Sequence, residues 1–167
     1  MNKVGYFKVV KEKGSTLVRL KCIDEFSTSR IYHTELRSVA EFVRFHLCDD
    51  ELAKEHVWVL IYDVKMKLLG IVCVAQGSTM YSNISNADIL QAVLLFNAVS
   101  FVVVHNHPSG DCTPSVSDQE MTTKLLKAAD VIGLTFADHV IMGDKAAWSL
   151  KSNHKMYFTL EGDQDEK

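Results

Sequence analysis

"SFVVVHNHPSGDCTPSVSD", residues 100–118, joins a short apolar run to two histidines, a turn and the start of a helix. The run "SFVVVH" is apolar on both faces and rich in β-branched residues, which predicts a buried strand at the centre of a sheet. Side chains at i and i+2 of an extended chain point to the same side, so His105 and His107 can aim two imidazoles at one point. "PSGD" then reverses the chain. Thr113 followed by Pro114 reads as a helix start with proline at the first position. Ser115 and Asp118, three apart, share a face of the first helical turn.

Ser115 and Asp118 also fit a plainer reading, the capping box S-x-x-D, with Ser115 as cap and Asp118 answering at the third helical position. Two imidazoles buried together are costly without a partner, however. Two neutral imidazoles and one carboxylate are the ligands of an open catalytic zinc site, in which the remaining position holds a water with a pKa of ~7. Such a site also needs a carboxylate to take and deliver protons, and a donor for a developing oxyanion. Ser115 is placed to be that donor.

On the N-terminal side, "VGYFKVV" and "TLVRLKCI" flank "KEKGS" and read as a hairpin. "SVAEFVRFHL" places Val39, Phe42, Val43 and Leu47 on one helical face. "HVWVLIYD" and "LLGIVCVA" are strands joined through "VKMK". "SNADILQAVLLFNA" is a helix capped by Ser85 or Asn86, with Ile89, Val93, Leu94 and Phe96 at helical spacing. On the C-terminal side, "PSVSDQEMTTKLLKAADVIG" is a helix with Met121, Leu125, Ala128 and Ile132 on one face and Gly133 as its stop. "LTFADHVIMG" and "AAWSLK" return to strand. Strands alternating with helices predict an α/β fold, a mixed sheet flanked by helices.

The chain of 167 residues is 47% hydrophobic and 23% charged, the balance of one globular domain with a sizeable core. Neither "VWVLIY" nor "FVVV" approaches the length of a membrane span, and "MNKVGYFKVVKEKG" lacks the apolar core of a signal peptide. The expectation is a cytoplasmic protein with no membrane contact. Cys22, Cys48, Cys73 and Cys112 form no C-x-x-C pair, so a metal would be held by histidine and carboxylate.

The net charge of −3 conceals a basic stretch. Residues 1–22 carry Lys3, Lys8, Lys11, Lys13, Arg19 and Lys21 against Glu12 alone, while the tail "EGDQDEK" is mostly acidic and reads as disordered. The basic stretch reads as a solvated strand surface, or else as a weak contact for nucleic acid or an acidic partner. An isoelectric point of about 6.1 lacks the footprint of a dedicated nucleic-acid binder.

Rival motifs fail on the residues. The zinc deaminase pattern needs H-x-E and P-C-x-x-C, whereas Asn106 and His107 follow His105, and Cys112 has no second cysteine. H-E-x-x-H, H-x-x-E-H, a Walker loop and G-x-G-x-x-G are all absent. The letters H-N-H are three adjacent residues, not the motif that a nuclease of that name spreads along a hairpin and helix.

H-x-H, seven residues, Ser, two residues, Asp is the JAMM signature, and His105, His107, Ser115 and Asp118 fit it without a gap. The stretch from "VVVHNHPSGD" to "FADHVIMGD" resembles the JAB/MPN domain of the RadC family, as do "KEHVWVLIYDVKMKLLG" and "ISNADILQAVLLFNA". The resemblance covers roughly residues 36–151. It implies a three-layer, cytidine-deaminase-like domain in which His105, His107 and Asp118 hold one zinc ion per chain. It also implies an upstream glutamate that polarises the zinc-bound water. Glu55, immediately before "HVWVLIYD", is the residue that fits; Glu51 and Glu35 precede that strand less closely. "ADHVIMG" matches a family segment too, so His139 or Asp138 is read as packing or as outer support for the ligands.

The chain departs from the family in two places. Members named for DNA repair often carry a helix-hairpin-helix region, where residues 1–34 read as a basic hairpin and connector. Cys112 stands where proline is common. The domain expectation is therefore 1–34, a JAB/MPN domain over 35–152, and a C-terminal extension over 153–167. The expected function is a JAMM-type zinc metallopeptidase acting on a peptide or isopeptide. Its alternative is a binding module of a DNA-repair or mobile-element setting, in which catalysis is dispensable.

Overall fold

The computed structural model describes residues 2–28, 34–48, 54–77 and 85–158. Three helices and eight strands follow one another as β1 (Asn2–Lys11), β2 (Val18–Thr28), α1 (Leu36–His46), β3 (Glu55–Tyr62), β4 (Leu68–Gly77), α2 (Asn86–Leu95), β5 (Ser100–Asn106), α3 (Val116–Val131), β6 (Thr135–Met142), β7 (Ala146–Ser149) and β8 (His154–Tyr157). All strands join one sheet in the order β2-β1-β4-β3-β5-β6-β7-β8. It is mixed: β1 with β4 and β5 with β6 are parallel, and the other neighbours are antiparallel.

Alternation along the central strands builds the layers. Trp58, Leu60 and Tyr62 of β3, with Val102 and Val104 of β5, pack on Val39, Ala40, Phe42 and Val43 of α1. Val57, Val59 and Ile61, with Phe101 and Val103, face Ile89 and Val93 of α2 and Leu125 and Ala129 of α3. Every residue of β3 and β5 is buried, which is why both read as nearly unbroken apolar runs. The fold is thus three-layered, helix on both faces of a sheet, with "SFVVVH" in the middle as expected.

Three local expectations are corrected. Helix α3 does not start at Pro114: Ser115 is its N-cap, in a complete capping box with Asp118. Thr113 gives both its N–H and its hydroxyl to Asp111 Oδ1 and so is spent on the preceding turn. Leu94 and Ile132 are exposed at 57% and 47%, because the α2 stripe runs through Ile89, Ala92 and Val93, and Ile132 is already the C-cap of α3. Strand β8 was not foreseen: "HKMY" offers only Met156 as a buried anchor. Ser85, not Asn86, caps α2, accepting from the Ala87 N–H.

The hairpin β1–β2 continues the same sheet through β4, with Gly5, Tyr6 and Phe7 beside Gly70, Ile71 and Val72. The acidic tail and the connector 29–33 lie outside the described residues. Among the described residues no helix is long and apolar enough to cross a membrane.

Candidate metal centre

Four elements bring their ends together on the α2/α3 face of the sheet. The antiparallel register pairs Val57 with His105, so the two side chains share that face. Two residues earlier, β3 begins with Glu55, which the antiparallel order delivers to the end of β5 where the histidines stand. His107 lies one step past the strand, with its N–H donated to the Met142 carbonyl at the end of β6. The turn that follows closes with Gly110 N–H on the His107 carbonyl. Gly110 has φ +80°, and a Cβ there would run into the Asp144 carboxylate, so only glycine fits both the turn and its neighbour. The chain then enters α3, whose first turn presents Asp118.

The nitrogen and oxygen atoms converge closely. His105 Nε2 is 2.9 Å from His107 Nε2 and 3.2 Å from Asp118 Oδ1, and His107 Nε2 is 3.6 Å from Asp118 Oδ2. Glu55 Oε1 is 4.0 Å from His105 Nε2. Ligand atoms around a tetrahedral zinc at its usual bond lengths stand ~3.3 Å apart, and the separations of 2.9, 3.2 and 3.6 Å among the two histidines and Asp118 bracket that value. His105 and Asp118 are fully buried, Glu55 nearly so, and the His107 side chain is 15% exposed.

The hydrogen-bond partners assign the imidazole protons. Thr122, one turn after Asp118 on α3, donates its hydroxyl to the Asp118 carbonyl at 2.7 Å. That hydroxyl lies 2.6 Å from His139 Nδ1, so it must accept a proton from it. Burial, and then the proximity of His105, push His139 well below the ordinary histidine range, so it is neutral. Its Nε2 therefore accepts from His105 Nδ1 at 2.8 Å, which leaves Nε2 as the His105 atom that faces His107 and Asp118. His107 Nδ1 is 2.7 Å from the Asp111 carbonyl and must donate to it, placing its lone pair on Nε2. Both Nε2 atoms face the same point as the carboxylates.

The carboxylates carry the complementary signal. Asp118 Oδ2 accepts from the Ser115 N–H at 2.7 Å and from its hydroxyl at 2.6 Å, while Oδ1 is buried with no hydrogen-bond partner among the described residues. Glu55 Oε1 is buried and without a partner in the same sense. Burial opposes ionisation of Asp118, but His105, His107 and the Ser115 hydroxyl outweigh it and hold the carboxyl far below its usual range. For His107, burial lowers the affinity for a proton, and Asp118, the Asp111 carbonyl and Glu55 together raise it above the ordinary value. Buried oxygens without donors, set against two imidazole lone pairs, form a donor set that fits a divalent cation.

The structure thus brings together His105, His107, Asp118 and Glu55, with Ser115 bonded to Asp118. Glu35 is at the N-cap position of α1, and Glu51 lies outside the described residues. His139 supports His105 directly. Asp138 instead accepts from Ser149, from Lys151 N–H and from His139 N–H. Sequence reasoning missed Thr122 and Asn106. Thr122 sits four residues after Asp118, on the same helical face, and that spacing was the available signal.

The family model of the RadC-like JAB domain matches residues 33–156, well over half of the chain. A UPF0758 protein of Caldanaerobacter subterraneus subsp. tengcongensis is 40% identical over 110 residues, which are 66% of this chain and 46% of that protein. One from Desulforudis audaxviator is 35% identical over 98 residues, 59% of this chain and 43% of the relative. One from Bacillus velezensis is 34% identical over 125 residues, 74% and 54%. The chain spans about half the length of these relatives. On the matched residues and the fold, this chain belongs to the family of RadC-like JAB domains.

Proposed function

We propose that the chain is a zinc-dependent hydrolase of the JAMM class that cleaves a peptide or isopeptide bond. The observation that supports it most is the convergence of two imidazole Nε2 atoms, each with its Nδ1 proton committed elsewhere, on two buried carboxylate oxygens that have no donor among the described residues. His105, His107 and Asp118 would hold the ion. Bound there, zinc would supply Lewis-acid polarisation of a carbonyl and a water acidified to a pKa of ~7.

The protein's own groups do the rest. Glu55 takes the proton of the attacking water and delivers it to the leaving amine, which its place beside the histidines and an Oε1 without a partner among the described residues allow. Thr122 and His139 keep the His105 lone pair directed inward. Ser115 orients Asp118 in the resting site, and it can donate to a developing oxyanion by exchanging its 2.6 Å bond to Asp118 Oδ2.

The test has two parts. Protein purified without chelator or affinity metal should hold about one zinc per chain and lose it on His107→Ala. Glu55→Gln should keep the zinc and lose about 100-fold or more in turnover on isopeptide or peptide probes. Full activity in the glutamine variant would sink the mechanism.

A second reading, a binding module that contacts nucleic acid through residues 1–22, is favoured by one observation. Lys8 and Lys21 stand directly opposite each other across β1 and β2, an arrangement of like charges that an anion would relieve. Lys3 and Arg19, by contrast, pair with Glu25 and Glu12. Salt-sensitive DNA binding that disappears when Lys8 and Lys21 are neutralised would support this reading; no binding at low salt would remove it.

A further inference from the structure

The ladder between β3 and β5 stops at Val57 and His105. The next pair in that register would be His56 with Asn106, but the His56 N–H goes to the Asn106 side chain instead of its backbone, and Pro108 has no N–H to give. Glu55 therefore sits on backbone that has lost its strand neighbour on that side. A side chain takes the neighbour's place. Asn106 Oδ1 accepts from the His56 N–H at 2.7 Å, and Asn106 Nδ2 donates to the Lys54 carbonyl at 3.1 Å. The two groups held are those immediately before and after Glu55. Asn106 is buried, and its bond to the His56 N–H forms out of water, while the bond to Lys54 is part-buried.

Asparagine is suited to this because one planar amide offers an acceptor and a donor in a fork. Aspartate would keep the bond to His56 and set a negative charge against the Lys54 carbonyl. Alanine would lose both bonds. Glu55 Oε1 makes no hydrogen bond of its own among the described residues, so the backbone on which the side chain stands governs where that oxygen lies.

We propose that Asn106 is a positioning residue: by clamping the backbone on both sides of Glu55 it sets the Glu55 carboxylate beside the histidines, and it takes no part in holding the metal. This rests on the reading of Glu55 as the proton carrier. The clamp explains why a polar residue stands between the two histidines, where the sequence alone shows only an interrupted apolar strand.

The experiment compares Asn106→Ala and the near-isosteric Asn106→Asp with Glu55→Gln and wild type, all as the full chain. Metal content is measured with zinc, the visible spectrum with cobalt, and hydrolysis with a fluorogenic lysine-isopeptide peptide. The His56 amide is followed by hydrogen exchange, and the Glu55 side-chain carbon by its paramagnetic shift in the cobalt protein. We expect both Asn106 variants to bind metal with the wild-type cobalt spectrum. The His56 amide should exchange about 5–10-fold faster in Asn106→Ala, as loss of a buried bond implies. The Glu55 carbon signal should move, and kcat should fall about 10–100-fold with KM little changed.

If Asn106→Asp keeps wild-type kcat and an unmoved Glu55 signal while Glu55→Gln is inactive, the positioning role is overturned and the hydrolase reading stands. If either Asn106 variant is folded but loses the metal, the residue supports the ligands rather than Glu55, and the proposal again fails. If Glu55→Gln is fully active, the reading beneath the proposal falls with it.

Discussion

The Thr122 hydroxyl joins Asp118 to His139: it donates to the Asp118 carbonyl at 2.7 Å and lies 2.6 Å from His139 Nδ1. One helix turn thus supplies a candidate metal ligand and the group that fixes the tautomer of another ligand's partner. Thr122→Val should leave the buried His139 N–H without an acceptor, costing about 1–3 kcal/mol of stability. It should also weaken zinc by about 10–100-fold, the usual effect of losing such an outer partner. Thermal unfolding of the metal-free protein and a chelator competition titration would check both. Unchanged zinc affinity would show that His105 needs no relay.

Ser115 is both cap and clasp. Its hydroxyl accepts from the Asp118 N–H and donates to Asp118 Oδ2. Ser115→Ala should lower metal-free stability by about 1 kcal/mol, as lost caps do. Since the same change frees Asp118, zinc affinity should fall as well. A variant that lost stability and kept wild-type affinity would reduce Ser115 to a helix cap.

The pH dependence of the metal-free protein should reveal His139 and His107 with opposite signs. His139 is held below its unfolded value, so its contribution is present above a pH of about 6.5 and is lost as pH falls, at up to about 1.4 kcal/mol per unit. His107 is raised, so its contribution is present below that pH and is lost as pH rises through its folded value. Denaturant midpoints across pH 5–8 should therefore fall on the acid side and fall more steeply in His107→Ala. A flat profile in the variant would contradict the burial of neutral His139.

Gly110→Ala tests the turn that carries His107. The residue has φ +80°, and its new Cβ would meet Asp144. A non-glycine residue in that conformation costs about 1–3 kcal/mol. Adding Asp144→Ala should recover only the part due to the collision, which separates steric from conformational strain in a double-mutant cycle.

Much of the site was legible because its strongest signals are local. The i, i+2 histidines share a strand face whatever the sheet does, and the i, i+3 pair of Ser115 and Asp118 share a helical turn whatever it packs on. The same local rule produced two readings of that pair, capping box or metal site, as though they competed. In the structure one Asp118 oxygen serves the cap and the other faces His105, so the two readings do not compete. Where the local rule faltered, at Leu94 and Ile132, helical spacing was right within a residue or two, but the direction of the sheet selected the neighbouring stripe.

What the sequence determined by itself was the strand that leads into His105 and His107, the helix opening with Ser115 and Asp118, and the residue types that a metal would need. The rest depended on the order of strands. Glu55 reaches the histidines because β3 lies antiparallel beside β5, His139 reaches His105 because β6 lies parallel on the other side, and Asn106 grips the backbone at Glu55 because the β3–β5 ladder ends there. Those contacts join residues far apart in the chain. No periodicity records them, because side-chain direction follows from local backbone geometry, whereas strand neighbours are chosen by burying both faces of the whole sheet.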